Sequence, residues 1–539
     1  MGQSSSAEQA SSPEQREVEA LAASTGALPV LQKAFSAIAD PQTKAIPLGS
    51  LKRCFELTYE IPTCETIKMP KEFPTLLNHL GHSLVDLFFI AEKGGLCWIE
   101  FLRGYTRCCG RTAASTSFNN LSRLYEATVV KAGLPAKLRF ETDDDDCKMS
   151  GSLCPSDVLM LLSMCWVMSW DSQNLRSSEG KGNYCLPDIN HLVQSAVLSC
   201  TDHDGDLDVW NGDISGLDIE LPSRKFHMWA LKTVPNLTDC LLQFIHARLR
   251  DFVAHEDKLE SPCSSLNDVS STTVCNTNLL TPGRAWALSL TLKGSMKEEI
   301  LKACFPSDTD ATNENILYRS SLHGRGLNRF WSNVDGYTGP ILMLIGATSG
   351  NSNPDDKDTR KWIIAALTHQ GFENKDVFYG TSGSLYAISP VFHVFASLGK
   401  EKNFVYSHLH PTGRLYDPHP KPIGIAFGGS IGNERIFMDE DFARVTVRHH
   451  VVDKTYHPGS IFPSQGYLPF EARVLEVEVW GLGGKTAMEI QTSYKKREEL
   501  FTEQRRKVDM KTFASWEDSP EKMMMDMISD PNAVRREDR

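Results

Sequence analysis

Residues 422–442 read PIGIAFGGSIGNERIFMDEDF, in which glycines that could cradle a phosphate precede an acidic cluster. Apolar residues alternate through 423–427, as they do in a β-strand, and RIFM at 435–438 has the pattern of a second short strand. A dinucleotide fingerprint requires a helix after the glycines, whereas here a strand follows them. The segment therefore predicts a β-hairpin, with GGSIGN at 428–433 as its loop, rather than a nucleotide site.

The acidic trio near the end of this segment, Asp439–Glu440–Asp441, could supply carboxylates for acid–base chemistry. Such catalysis needs carboxyl groups in contrasting environments within one pocket, and adjacent residues at a strand end point in different directions. The trio therefore favours a turn or a surface role over catalysis.

Composition and charge exclude several classes of protein. The chain has 539 residues, of which 41% are hydrophobic and 23% charged, so a folded protein with more than one domain is expected. The formal net charge of -12, without a long Lys/Arg block, argues against nucleic acid as a partner. The longest apolar run, 158–168, is shorter than the roughly 20 residues of a membrane span, so it predicts a core helix.

The cysteines predict a reducing compartment. The chain has 14 of them, with no C-x-x-C pair and no N-terminal apolar leader. Reduced thiols in a cytosolic protein are therefore expected.

The first residues, MGQSSS, match the N-myristoylation pattern, with Gly2 as the acceptor and Ser6 at the favoured position. The alternative is a polar disordered tail. A single myristoyl chain gives only reversible membrane binding, so stable residence requires a second contact. The neighbouring charges are mostly acidic, so this contact would come from a folded domain or a partner.

Periodicity and composition divide the chain into segments. We expect a disordered tail (1–25), a helical domain (26–254), a Ser/Thr/Asn-rich linker (255–279), a β-rich domain (280–482) and a helical C-terminal extension (483–539).

Two segments indicate the kind of strand in the β-rich domain. PILMLIG at 340–346 predicts a strand that is buried on both faces. Leu475, Val477 and Val479 alternate with two glutamates, which predicts a half-buried strand.

The helical domain shows a helix–loop–helix pattern twice, with loops around Asp40 and around Lys93-Gly94-Gly95, and we interpret it as EF-hand-like. Those two loops hold too few carboxylates for calcium.

A later loop, TDHDGDLDVWNGD, is more acidic and provides the candidate calcium ligands Asp202, Asp204, Asp206 and Asp208. With Gly205 at the obligatory sixth position, the first and twelfth positions fail, and a frame that starts at Asp202 loses the glycine. A weak or vestigial calcium site and a solvated acidic turn both remain open.

Other enzyme-like patterns are incomplete. VWGLGGKT at 479–486 lacks the first glycine of a P-loop, and GTSGS at 380–384 lacks the spacing of a nucleophile elbow. His449, His450, Asp453 and His457 have no standard metal-ligand spacing, so a set of satisfied or exposed histidines is favoured over a catalytic metal site.

The β-rich half resembles the TLDc family, because short motifs of that family occur here in the family's order. They are LYRSS with HG (317–324), GYTGP (336–340), FYG (378–380), FGG (427–429), DEDF (439–442) and EVWGLG (478–483). Together with the myristoylation pattern and the EF-hand-like helices, the whole chain is similar to the mTOR-associated, N-myristoylated and lysosomal branch, and its branch features point to a plant member.

The resemblance implies an α+β multidomain protein, with an all-helical EF-hand-like domain, a TLDc β-sandwich with peripheral helices, and a C-terminal helix. It implies no catalytic residues and no required cofactor, although calcium stays open. The motif positions expected to build turns or a binding face are Gly336, Tyr337, Phe378, Tyr379, Gly380, Gly428, Gly429, Asp439, Asp441, Trp480 and Gly481.

The function implied by the resemblance is that of a non-enzymatic regulator. Such proteins bind the cytosolic sector of the vacuolar-type ATPase at endomembranes, partly through the helix after the TLDc domain, and are linked to oxidative-stress resistance and mTOR signalling. The matching helix here is 485–509, while a longer Pro/His-rich region at 406–422 departs from animal members. The alternatives are a calcium-responsive membrane adaptor and an enzyme or antioxidant that uses His449, His450 and nearby acids.

Overall fold

The structure is a computed structural model. It describes residues 12–57, 69–92, 94–141, 149–174, 186–201, 209–210, 219–256, 279–305, 315–349, 360–410, 419–463, 465–517, 522 and 524–525. Gly2, Asp202, Asp204, Asp206, Asp208 and most of the predicted linker lie outside these residues.

Helices occupy the first half of the chain and flank the strands of the second half. They are α1 (Pro13–Ser24), α2 (Leu28–Ile38), α3 (Leu48–Cys54), α4 (Phe73–Phe88), α5 (Trp98–Cys109), α6 (Ala114–Lys131), α7 (Pro155–Asn174), α8 (Asn190–Cys200), α9 (Ser223–Thr233), α10 (Asp239–Glu256), α11 (Pro282–Ser289), α12 (Gly294–Cys304), α13 (Ser320–His323), α14 (Leu327–Val334) and α15 (Gly484–Glu517). The predicted core helix at 158–168 is confirmed, because these residues are buried all round within α7.

Most strands follow the helical half. They are β1 (Leu138–Phe140), β2 (Met149–Leu153), β3 (Leu221–Pro222), β4 (Ile316–Arg319), β5 (Ile341–Ser349), β6 (Arg360–Thr368), β7 (Lys375–Tyr379), β8 (Gly383–Ser389), β9 (His393–Ala396), β10 (Val405–His408), β11 (Gly424–Ser430), β12 (Asn433–Asp439), β13 (Arg444–Val447) and β14 (Phe470–Gly481). The predicted hairpin is confirmed: β11 pairs with β12 antiparallel, although the turn is Ile431–Gly432 and the two preceding glycines belong to β11.

The prediction of a disordered tail is wrong for residues 13–24, which form α1. Two residues of α1, Val18 and Ala22, are buried in the helical core. The Glu19 carboxylate also accepts a hydrogen bond from the Trp98 indole N–H at 2.8 Å. The small apolar stripe and this bond attach α1 to α5, which the Ser/Ala/Glu composition did not reveal.

The helical half is not all-helical, which corrects the sequence prediction. Its two N-terminal helix–loop–helix units meet through an antiparallel bridge between Ile46 and Leu96, whose backbone groups exchange two hydrogen bonds of 2.8 Å. Further along, β1, β2 and β3 form a three-stranded antiparallel sheet. Loops between paired helices carry unsatisfied backbone groups, and pairing one loop with another satisfies them.

The remaining strands form one 11-stranded sheet in the order β7-β10-β11-β12-β13-β14-β5-β6-β8-β9, with β4 paired to β14. Neighbours pair antiparallel. The β-sandwich that the resemblance implied is therefore one continuous sheet that curls around an inner core. β14 is central to it: β5 runs along one edge, while β13 and β4 share the other.

The two faces of the central strands belong to different hydrophobic cores. Met343, Ile345 and Val477 point into the core enclosed by the curled sheet. Leu344 and Trp480 point the opposite way, into a core that continues through α11 and the whole helical half. PILMLIG is thus buried on both faces, as predicted, because helices cover one side of the sheet and strands cover the other.

The prediction of a half-buried strand at 475–479 is wrong, because Glu476 and Glu478 are buried. The Glu478 carboxylate accepts hydrogen bonds from the backbone N–H groups of Leu279 and Leu280, both at 3.2 Å, and faces Arg319 Nε at 3.4 Å. The Glu476 carboxylate accepts a 2.6 Å bond from the Ser320 hydroxyl. These donors replace the water that the alternation of the sequence had implied.

We expect Glu478→Ala to lower the free energy of unfolding by about 3–5 kcal/mol, because it leaves buried donors and the Arg319 charge without their acceptor. Urea denaturation measures the change. Glu471→Ala, on an exposed position of the same strand, is the matched control and should change stability little. Equal effects of the two substitutions would contradict this account.

A buried histidine at the contact between the two halves makes the free energy of unfolding depend on pH. The His191 carbonyl on α8 accepts a bond from Phe392 N–H at 3.0 Å, and the two rings lie 6.1 Å apart. Burial, with a smaller contribution from the Arg284 charge, lowers the pKa of His191 to about 3. The pKa of an unfolded histidine is about 6.5, so below that pH the unfolded chain binds a proton that the folded chain does not. This contribution to stability is complete above that value and is lost as the pH falls towards 3.

We expect His191→Leu to reduce the loss of stability between about pH 7 and pH 5 by about 2 kcal/mol. The Nε2 atom of His191 has no hydrogen-bond partner within the described residues, so the substitution removes no hydrogen bond at that atom. Denaturant unfolding at both pH values measures the difference, and His82→Leu, at an exposed position, is the control. An unchanged pH dependence in His191→Leu would show that this histidine is not the cause.

Candidate docking surface

Tyr337 joins the end of β14 to the start of α15. Its ring is buried, and its hydroxyl accepts a hydrogen bond from Gly483 N–H at 2.7 Å. A Cβ atom at Gly481 would lie 2.7 Å from the ring, and one at Gly483 would lie 2.9 Å from the hydroxyl. The GYTGP and EVWGLG motifs therefore pack on each other, and only glycine fits at these two positions.

Trp480 lies between these glycines and the buried glutamate. Its side chain is buried, and its indole N–H donates to the Glu478 carboxylate at 3.3 Å. Its position in the shared core makes it part of the fold rather than of an exposed surface.

Side chains of α15 bind the C-terminal end of α14. Gln491 Nε2 donates to the carbonyls of Asn333 at 2.8 Å and Asp335 at 3.1 Å, and Lys495 Nζ donates to the Asn333 carbonyl at 2.9 Å. The Tyr494 hydroxyl donates to the Asp335 carboxylate at 3.1 Å. The last carbonyls of a helix need outside donors, so these bonds fix the first part of α15 to the sheet domain.

The next part of α15 is different, since every residue from 496 to 507 is exposed. Leu500 and Phe501 are among the large exposed hydrophobic side chains. Charged residues of both signs surround them, including Arg497, Glu499 and Arg505. The helix therefore begins as a fixed element and continues as a surface with an apolar pair.

The FYG motif at 378–380 stabilises the C-terminal end of β7. The Tyr379 hydroxyl accepts a 2.8 Å bond from Glu373 N–H and lies 2.6 Å from the Ser407 hydroxyl. The Phe378 ring lies 5.5 Å from that of Tyr406. Gly380 has a φ of 114°, which favours glycine. All three motif residues take part in contacts within the domain.

The FGG motif permits close packing beside the β11–β12 turn. A Cβ at Gly429 would lie 2.8 Å from the His450 ring, and one at Gly428 would lie 3.1 Å from Tyr456. The Asn403 side chain stabilises this end of β11, because its Nδ2 donates a hydrogen bond to the Gly429 carbonyl at 2.8 Å. The glycines thus bring the hairpin against the loop that follows β13.

The DEDF motif forms a tight turn, as the sequence favoured. The Asp439 carboxylate accepts bonds from the N–H groups of Ala443 at 2.8 Å and Arg444 at 3.1 Å. Phe442 is fully buried, while Asp441 beside it is exposed. Asp439 therefore acts as a turn cap, while the side chain of Asp441 is exposed to solvent.

The histidine and acid cluster contains a buried ion pair. Arg435 Nη1 lies 3.0 Å from the Asp453 carboxylate, and it also donates to the His457 carbonyl at 2.7 Å. His450 Nδ1 lies 3.7 Å from the same carboxylate. Burial acts to raise the pKa of Asp453, but hydrogen bonding from His450, the neighbouring backbone N–H groups and the Arg435 charge hold it below its usual value.

The described residues contain no group of three or more His, Cys, Asp or Glu side chains that could hold a metal ion. Within the same part of the chain, no helix combines the length and apolar character that crossing a bilayer requires. The candidate lipid site Gly2 and the candidate calcium ligands lie outside it, so both remain predictions.

Two exposed apolar loops were missed by the sequence reasoning. Val451 and Val452 follow β13, Tyr467 and Leu468 precede β14, and all four side chains are at least 59% exposed. The signal was present, since VV and YL stand beside Pro, Gly and His residues in segments without periodicity. We name these four residues the tip cluster.

The comparison with known proteins places the strand-rich half in a family. Residues 292–483 match the model of the TLDc domain. The β-rich half of this chain is a TLDc domain. This agrees with the packing of the GYTGP and EVWGLG motifs and with the curled antiparallel sheet that they join.

A curated relative extends the match only distantly. The chain is 23% identical over 230 residues to "Restriction of telomere capping protein 5" of Zygosaccharomyces rouxii. The aligned region covers 36% of this chain and 41% of the relative, so the chain spans less than half the length of that protein.

We expect Gly336→Ala to release the first part of α15 from the TLDc domain. Gly336 has a φ of +78°, and a Cβ there would overlap the Tyr494 ring. Trypsin cleavage near Lys495 should become about tenfold faster, as expected for a destabilisation of about 1.4 kcal/mol. Gly399→Ala is the matched control, because Gly399 has a φ of +69° but open space around it. If trypsin cleaves both variants at the same rate, the contact between Gly336 and Tyr494 is not what holds α15 on the TLDc domain.

Proposed function

We propose that this TLDc protein is a non-enzymatic regulator that docks on the cytosolic sector of the vacuolar-type ATPase. In this proposal it belongs to the mTOR-associated branch, in a plant, and works in oxidative-stress and mTOR-type signalling. Myristoylation of Gly2 holds it at lysosomal or vacuolar membranes. The resemblance of the family motifs supports the proposal, and the exposed surface of α15 carries it.

The exposed surface of α15 fits a docking role for physical reasons. Its first part is attached to the TLDc domain by Gln491, Tyr494 and Lys495, so the orientation of the helix is set before binding. Preorganisation lowers the entropic cost of association. Leu500 and Phe501 then present an apolar pair on a charged helix, and such side chains supply binding energy when a partner buries them.

A calcium-responsive adaptor is the second candidate, and one contact favours it. Trp210, which lies within the acidic loop two residues after Asp208, is 5.2 Å from the Arg360 guanidinium and 6.5 Å from the Phe462 ring of the TLDc domain. An EF-hand-like helical half would explain the bridge between Ile46 and Leu96. Calcium at Asp202–Asp208 would then act next to a contact with the TLDc domain.

Co-purification with vacuolar-ATPase cytosolic subcomplexes tests the docking proposal. We expect Leu500→Asp combined with Phe501→Asp to weaken binding by about tenfold or more, since the pair would no longer be apolar. Thr502→Asp adds charge at the next exposed position of the same helix and is the control.

Full-length protein that does not bind in calcium or in chelator would overturn pump docking. Binding that appears only in calcium would favour the adaptor. Metal-dependent turnover that requires His449 or His450 would instead favour the enzyme alternative, in which those residues act with nearby acids.

A further inference from the structure

We propose that the tip cluster inserts into the interface of an anionic membrane and gives the TLDc domain its own lipid contact. The cluster comprises Val451, Val452, Tyr467 and Leu468. This inference does not depend on pump docking, and it concerns residues on the TLDc domain rather than the acyl chain at Gly2.

The topology brings the tip cluster to one end of the sheet. Val447 of β13 pairs with Phe470 of β14, so the chain leaves and re-enters the sheet at the same end. The β11–β12 turn lies there too, because Arg448 N–H donates to the Arg435 carbonyl at 2.8 Å. Ile431 in that turn is 44% exposed and extends the apolar surface.

The apolar side chains are held outward by specific contacts beneath them. The Tyr467 ring stacks on His449 at 5.0 Å with an angle of 10° between the planes, and His449 Nδ1 lies 3.1 Å from the Gly466 carbonyl. Gln465 Nε2 donates to the Val447 carbonyl at 3.1 Å, and its Oε1 accepts from Ile461 N–H at 2.9 Å. The exposed fractions are 80% for Val452, 80% for Leu468 and 78% for Tyr467.

Exposed lysines lie at the same end of the sheet as the tip cluster. Lys454 lies 2.9 Å from Glu401, and Glu401 N–H donates to the Lys454 carbonyl, which brings the 400–403 segment to the same end. Three carboxylates near the tip cluster are paired: Glu401 with Lys454, Glu434 with Arg448 and Asp453 with Arg435. Lys400 and Lys402 are exposed next to them. Beyond these three balanced pairs, Lys400 and Lys402 face a single exposed carboxylate, Glu471 at the start of β14, so this end of the sheet carries an excess of one positive charge on a chain of net charge -12.

This combination matches the chemistry of a lipid surface. Apolar side chains on a projecting surface enter the boundary between headgroups and acyl chains, and nearby lysines attract anionic lipids. Tyrosine is favoured at that depth because its ring is apolar and its hydroxyl is polar. Such a contact would supply the second membrane signal that a single myristoyl chain requires.

Vesicle flotation with the full-length, unacylated chain tests the proposal. We expect binding to vesicles of phosphatidylcholine and phosphatidylserine in a two-to-one ratio, and much weaker binding to phosphatidylcholine alone. Val452→Ser combined with Leu468→Ser should lower the partition coefficient by about tenfold. Leu322→Ser, which changes another exposed leucine of the TLDc domain, is the control and should not.

Two further variants test the mode of contact. Lys400→Glu combined with Lys402→Glu should reduce binding to the anionic vesicles. In the Leu468→Trp variant, the fluorescence of the new tryptophan should shift to the blue and be quenched by brominated lipid only if the tip cluster enters the bilayer.

The proposal is overturned if the full-length chain does not bind the anionic vesicles at low salt, or if the Val452 and Leu468 double variant binds them as the control does. If the double variant instead loses vacuolar-ATPase binding while lipid binding is absent, the tip cluster is a protein-docking surface. If the chain does not co-purify with the vacuolar-type ATPase but still binds the vesicles, only the docking proposal is wrong. The two proposals can therefore be tested separately.

Discussion

The buried carboxylate of Glu478 is the interaction on which the junction between the two halves depends. It accepts hydrogen bonds from Leu279 and Leu280, where the described chain enters the TLDc half, and it faces Arg319 of β4. A carboxylate out of water is tolerated only with donors on several sides. One buried charge therefore joins three parts of the chain: the segment at Leu279 and Leu280, β4 and β14. The next element, α11, packs on the face of the sheet that carries Trp480.

The shared core follows from this junction. The central strands β5, β6 and β14 have apolar residues on both faces, so each face needs a cover. The curled sheet covers one face with its own strands, and the helical half covers the other. The helical half is thus part of what keeps the TLDc sheet out of water, and His191 makes its contact with Phe392 inside that arrangement.

The family motifs and the exposed surfaces have separate roles in this protein. Tyr337, Trp480, Gly481 and the FGG glycines pack inside the domain or shape its turns, and Asp439 caps one of them. The exposed apolar surfaces that the two proposals use lie elsewhere, on α15 after Lys495 and in the tip cluster. The motif residues hold the scaffold from which these surfaces project.

Local patterns in the sequence predicted the helical character of residues 26–254, the β11–β12 hairpin, the buried strand at 340–346 and the TLDc resemblance, because spacing and turn residues act over a few positions. Only the tertiary structure decided the burial of Glu478, the attachment of α1 through Glu19 and the use of Gly336 to receive Tyr494. Each of these depends on a partner distant in the chain, and an alternating Glu has the same sequence pattern whether water or a folded-back segment faces it. The tip cluster is hidden for the same reason, since exposure is a property of what packs nearby rather than of the residue itself.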